Sequence, residues 1–182
     1  EREDSVSGPR FEVALVMAGG KGTRLWGPSK PFVEVCGLPL LEHVVKPASK
    51  VSRRVLITLS QEGLTWARSL DLPPNASLVV TNGAGYEADI GLMLETIRAR
   101  PLITLPGDLV GLTSDMLLWL AKRSMELEEP VVSVIDRGRY VGISVFKDSR
   151  PGPWVDVNVE WGLVNVNTPE NYGEALARCR PA

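Results

Sequence analysis

An α/β fold with a mostly parallel sheet and helices on both faces is predicted by three observations. Apolar, β-branched runs alternate with stretches of helical periodicity over most of the chain, the pattern of strands joined by crossover helices. A glycine-rich basic stretch directly follows the first run, where the strand ends of such sheets meet ligands. After Pro130 two strand-like runs flank a turn-like "DRGR", which predicts an antiparallel part near the C-terminus. The 182 residues suffice for one domain with a sizeable core.

The elements follow in order. "EREDSVSGPR", residues 1–10, is polar and reads as a frayed tail, leaving residues 11–182 as the domain. "FEVALVM" (11–17) is the first strand, and "LLEHVVKPAS" (40–49) a helix with Leu40, Leu41, Val44, Val45 and Ala48 at helical spacing. His43 lies inside that pattern and reads as structural. "RVLITL" (54–59) and "SLVVT" (77–81) are the next strands. A helix over 86–98 puts Ile90, Leu94 and Ile97 on one face, and "LITL" (102–105) is a fourth strand. A helix over 114–125 is expected to turn Leu117, Leu118, Ala121 and Met125 inward. "VVSVI" and "YVGISVF" form the hairpin, and "KDSRPGPWVDVNVEWG" is rich in turn formers. "LVNVN" is a short last strand. Thr168 caps the final helix, with Pro169 at its first position and Glu170 near its positive end.

Composition excludes several classes. A formal net charge of -2 is unlike a general nucleic-acid binder. No apolar run approaches the ~18 residues of a membrane helix, and no signal peptide is visible. Cys36 and Cys179 have no metal-ligand spacing. They are expected as free thiols in a reducing cytoplasm, with a disulfide between them left open.

The stretch "VMAGGKGTRLWGPSKPF" (16–32) concentrates glycine and positive charge at a strand end. Glycine lets backbone approach a ligand closely, and successive N–H groups can cradle phosphate oxygens. Lys21 and Arg24 add charge where a polyphosphate would lie. The triphosphatase loop G-x-x-x-x-G-K-[ST] is excluded because Pro28 follows Gly27, and the dinucleotide fingerprint because Leu25 stands at its third glycine position.

"MAGGKGTRL…KP" instead resembles the signature of nucleotidyltransferases that make sugar nucleotides and similar activated molecules. "NGAGYEADI" (82–90) resembles the glycine-rich base-recognition turn of that superfamily. "PGDL" (106–109) resembles its metal-binding aspartate motif, and "NVNTPENY" (165–172) its C-terminal asparagine motif. The resemblance implies a single-domain Rossmann-like nucleotidyltransferase fold. Within it, "KPFVEVCGLPLLEHVVKP", "GAGYEADI" and "VGISVF" are similar to the archaeal GTP:adenosylcobinamide-phosphate guanylyltransferase family. The molybdenum cofactor guanylyltransferases, with a "GGxSxRMG…DK" loop, are the alternative. Residues 147–160 match neither family, and part of the cobinamide family's middle region is missing near Asp136–Arg139.

The activity so implied is attack by an acceptor phosphate on the α-phosphate of GTP, with pyrophosphate leaving. The acceptor is adenosylcobinamide phosphate, or else molybdenum cofactor or a sugar 1-phosphate. A GTP-binding sensor is the non-enzyme alternative. Catalysis of this kind is positioning and charge neutralisation, and an ionised acceptor phosphate needs no general base. The resemblance implies Lys21 and Arg24 at the β- and γ-phosphates and Lys30 at the α- or acceptor phosphate. Asp108 and Asn167 are implied as ligands of Mg²⁺, which takes hard oxygen donors; Asn165 supports Asn167 or holds the strand end. Ala18, Gly19, Gly20, Gly22 and Thr23 in the first loop would bind the nucleotide, with Asn82, Gly83, Ala84 and Gly85 in the second. Asp89 is either a surface carboxylate or a nucleotide contact. Trp154 and Trp161 either cover a bulky acceptor or pack the sheet edge. Arg137 and Arg139 either meet an acceptor phosphate or form a solvated turn, and Ser144 is the remaining acceptor candidate.

Overall fold

The computed structural model describes residues 10–20, 26–81, 85–150 and 152–179. Lys21, Gly22, Thr23 and Arg24 of the first loop, Asn82, Gly83 and Ala84 of the second, and residues 1–9 of the expected tail lie outside them.

The order is β1 (Phe11–Ala18), a 3-10 turn (Gly27–Phe32), β2 (Glu34–Val35), β3 (Leu38–Pro39), α1 (Glu42–Val51), β4 (Ser52–Ser60), α2 (Gln61–Leu64), a second 3-10 turn (Ala67–Ser69) and β5 (Ala76–Thr81). Then follow α3 (Tyr86–Thr96), β6 (Leu102–Pro106), β7 (Leu109–Val110), α4 (Ser114–Glu126), β8 (Val131–Asp136), β9 (Arg139–Phe146), β10 (Trp154–Val159), β11 (Val164–Asn165) and α5 (Pro169–Ala177).

Seven strands form one sheet in the order β10-β8-β9-β6-β1-β4-β5. β6, β1, β4 and β5 run parallel, and β9 runs antiparallel to β6 and β8. The chain winds outward from β1 through β4 to β5, then crosses to the other side of β1 at β6. That reversal opens a crevice at the carboxyl ends of β1 and β6.

Alternation along the strands supplies both faces. Ala14, Val16, Val55, Ile57, Ile103, Leu105, Val132 and Val134 pack with Leu41, Val44 and Val45 from the α1 segment and Leu117, Leu120 and Ala121 of α4. Val13, Leu15, Met17 and Leu102 pack under Met93, Ile90, Leu94 and Ile97 in and beside α3. Thr168 caps α5 by accepting from Asn171 N–H, with Pro169 opening the helix.

Three expectations change. The buried stripe of α4 is Leu117, Leu120, Ala121 and Ser124, while Met125 is exposed. At about 100° per residue Met125 stands ~80° round from Leu117 and falls off that stripe. Residues 154–159, read as turn-rich, form the edge strand β10, parallel to β8. The cysteines are not free thiols: Cys36 and Cys179 are joined in a disulfide with Cα atoms 5.2 Å apart. Their segments meet because Val35, Leu40, Val110, Val164, Val166 and Ala175 share a small core between the β2–β3 hairpin and α5.

Candidate active site

The site is built where β1 and β6 end. Gly107 follows β6, and its N–H donates to Met17 O at 3.0 Å. A Cβ there would lie 2.9 Å from Ala18 Cβ and 3.2 Å from Met17 O, so only glycine lets the two strand ends close this tightly. Asp108 comes next. Its carbonyl accepts from Val166 N–H at 2.9 Å, and the antiparallel pair β7–β11 sets Asn165 opposite Leu109. Aspartate and asparagines, 57 residues apart or more, thereby share one corner.

Lys30 reaches that corner from the 3-10 turn. Pro28 starts the turn and Pro31 lies buried inside it. Val33 N–H donates to Lys30 O at 3.2 Å and Leu41 N–H to Pro31 O at 2.9 Å, so the lysine backbone is held on both sides. Its Nζ donates to Asp108 Oδ2 at 3.0 Å and to Asn167 Oδ1 at 2.8 Å. The ion pair is mostly shielded, at 16% and 20% side-chain exposure, which makes it stronger than a surface pair.

Around this pair stand residues not anticipated from sequence, or anticipated only loosely. Asn165 Nδ2 donates to Asp108 Oδ1 and to Val141 O, both at 3.2 Å. It therefore holds the carboxylate as well as the strand end. Val141 O is presented by an irregularity in the β8–β9 pairing, where Gly142 has φ 89°, a conformation glycine adopts without strain. Asn171 Oδ1 accepts from Asn167 N–H at 3.3 Å, a support hidden in "NTPENY" next to its own cap. Trp26 and Tyr172 meet edge to face at 4.8 Å, and Tyr172 donates to Glu34 O. Both contacts tie α5 to the lysine segment. Tyr86, at the start of α3, lies near Asp108 and Tyr140. Loss of hydration, then those two neighbours, raise its phenol pKa above the ordinary value.

Ala18 and Gly19 lie at the β1 terminus, Gly20 is exposed beyond them, and Gly85 precedes α3 with φ 118°. Asp89 is buried and so is not a surface carboxylate. His43 Nε2 contacts Val35 O at 2.6 Å.

The acceptor candidates separate. Trp154 is 68% exposed and, with Val131, Ser133, Ile135, Tyr140, Gly152 and Asp156, lines an open groove of about 420 Å³. Ser144 lies beside it, with its hydroxyl 2.9 Å from Tyr140 OH and 3.3 Å from Ser133 Oγ. Trp161 does not join this groove. It packs edge to face against Trp119 of α4 at 5.8 Å, against the core on the opposite side. Arg137 pairs with Glu160 at 3.7 Å and lies over Gly162. Arg139 opens β9 opposite Asp136, whose buried carboxylate accepts from Gly162 and Leu163 N–H.

Among the described residues no group of three or more His, Cys, Asp and Glu could hold a metal. Asp108 and Asn167 offer one carboxylate and one amide oxygen. That hard, incomplete set fits Mg²⁺, which retains waters and shares itself with substrate phosphates.

A model of the MobA-like NTP transferase domain matches residues 14–170. The chain belongs to this family. As a MobA-like nucleotidyltransferase, it is 29% identical over 169 residues to the adenosylcobinamide-phosphate guanylyltransferase of Methanocaldococcus jannaschii, covering 87% of this chain and 81% of the relative. It is 25% identical over 194 residues to the molybdenum cofactor guanylyltransferase of Shewanella halifaxensis, covering 90% and 94%. Its fold is similar to that of Rv0371C from Mycobacterium tuberculosis, solved in complex with manganese. The TM-score is 0.72 at 13% identity, over 92% of this chain and 98% of the other.

Proposed function

We propose that this nucleotidyltransferase moves GMP from GTP to adenosylcobinamide phosphate and releases pyrophosphate. The observation that carries transfer chemistry is the meeting of Lys30, Asp108 and Asn167 at the crevice between β1 and β6. Lys21 and Arg24 would hold the β- and γ-phosphates. Lys30 would neutralise the α-phosphate as the acceptor oxygen approaches. Asp108 and Asn167 would hold Mg²⁺, which supplies charge neutralisation at the phosphoryl oxygens. The guanine would lie between the first loop and residues 82–85. The acceptor body would lie in the groove of Tyr140 and Trp154, with its phosphate toward Asp108. The choice of base and acceptor is supported by the similarity to the Methanocaldococcus relative.

The test is pyrophosphate release from GTP and Mg²⁺ with adenosylcobinamide phosphate present. Release with this acceptor supports the reading. Release only with molybdopterin moves the protein to the second reading, which the Shewanella relative favours. Release with a sugar 1-phosphate indicates a third acceptor class. Tight GTP binding without turnover on any of them indicates a sensor.

A further inference from the structure

Lys30 does more in this arrangement than wait for a phosphate. Its ammonium contacts one oxygen from each member of the pair assigned to the cation, Asp108 Oδ2 at 3.0 Å and Asn167 Oδ1 at 2.8 Å. The other oxygen of Asp108 is taken by the Asn165 amide, itself anchored on Val141 O. A divalent cation bound at ~2.1 Å from the same two oxygens would stand within contact distance of the ammonium. Two cations so close in a shielded corner repel strongly. The backbone of Lys30 is fixed between prolines, but four methylenes let its head swing.

We propose that Lys30 and the divalent cation are alternative occupants of the Asp108–Asn167 pair, exchanged when a triphosphate enters the crevice. Phosphate oxygens take the ammonium and free both ligand oxygens in the same step. The cation and the triphosphate therefore bind as a unit, and each raises the affinity of the other by the same factor. The free cation is held weakly because it must evict a charge-assisted pair. This inference rests on the proposed assignment of Asp108 and Asn167 to the cation.

The experiment measures Mn²⁺ binding without nucleotide, from the free-ion electron paramagnetic resonance signal, in the intact protein and in Lys30→Met. Lys30→Gln serves if Lys30→Met does not fold. The expected result is at least tenfold tighter Mn²⁺ binding in the variant, with less than twofold change in Lys122→Gln, at an exposed position on α4. Equal or weaker binding in the Lys30 variant overturns the exchange. So does an equal gain in Lys122→Gln, which would reduce the effect to general charge. Failure of the intact protein and the variant to bind Mn²⁺ even with GTP present overturns the metal assignment itself. Tight, GTP-dependent binding that ignores Lys30 overturns only the exchange.

Discussion

Asn165 holds Asp108 in place: one amide nitrogen bridges the Asp108 carboxylate and the Val141 carbonyl, at 3.2 Å each. The bridge ties the aspartate to the rim of the sheet, so the carboxylate is oriented before any ligand arrives. Such preorganisation acts on the transition state more than on binding. Asn165→Ala is expected to lower kcat about tenfold with little change in the KM for GTP. A matching loss in GTP affinity, read by calorimetry, would place Asn165 in nucleotide binding instead.

Asp108→Asn keeps the shape and removes the charge. It is expected to cost about a thousandfold in kcat, near 4 kcal/mol, with an unchanged circular dichroism spectrum. Near-normal turnover at saturating Mg²⁺ would remove Asp108 from the metal site.

The two tryptophans should behave differently. Trp154→Ala opens the groove and is expected to raise the acceptor KM about thirtyfold, for roughly 2 kcal/mol of lost apolar contact at ~25 cal/mol/Å², without lowering Tm. Trp161→Ala breaks the contact with Trp119 and is expected to cost about 2–3 kcal/mol of stability, with acceptor KM unchanged. Reversed effects would exchange their roles.

Gly107→Ala forces a Cβ against Ala18 and Met17. A loss of about 1–2 kcal/mol, or ~3–6 °C in Tm, is expected by calorimetry. Gly20→Ala places no new atom within 4 Å of any of the described residues and should leave Tm unchanged. Equal melting of both variants would refute the close approach.

The raised pKa of Tyr86 has a sign that can be checked. Because the folded value lies above the unfolded one of about 10, this group's contribution to stability is complete below pH ~10. It is lost as pH rises toward the folded pKa. The difference between absorbance titrations at 295 nm of the protein and of Tyr86→Phe isolates the phenol. A midpoint near 10 would contradict its placement beside Tyr140 and Asp108.

The parallel half of the sheet was legible because Val, Ile and Leu runs alternate with helical stripes, and both kinds of pattern are local. β10 is a miss: Val155, Val157 and Val159 alternate with Asp156 and Asn158, yet the segment reads as turn-rich. Pro151, Gly152 and Pro153 directly before it are turn formers and mask that short period of two. Motif residues Lys30, Asp108 and Asn167 were found by resemblance, and their meeting depends on pairings 78 and 137 residues apart. The roles of Asn165 and Asn171 rest on distances of a few ångströms between such segments, which no pattern in the chain encodes.

The Cys36–Cys179 bond closes 143 residues of sequence separation into a covalent ring. Asp108, Asn165 and Asn167 ride on the ring, whereas Lys30 and the glycine stretch sit on the arm that enters it. A cross-link of that span removes about 5 kcal/mol of chain entropy from the denatured state in the loop-closure model. Even with every non-covalent contact gone, the root of the arm stays tethered to the chain's far end. The denatured molecule is thus a looped polymer rather than a linear one, with a smaller hydrodynamic radius. In a denaturing gel the oxidised chain should migrate ahead of its dithiol-treated form, and the Cys36→Ser variant should run with the slower band whether or not reductant is present.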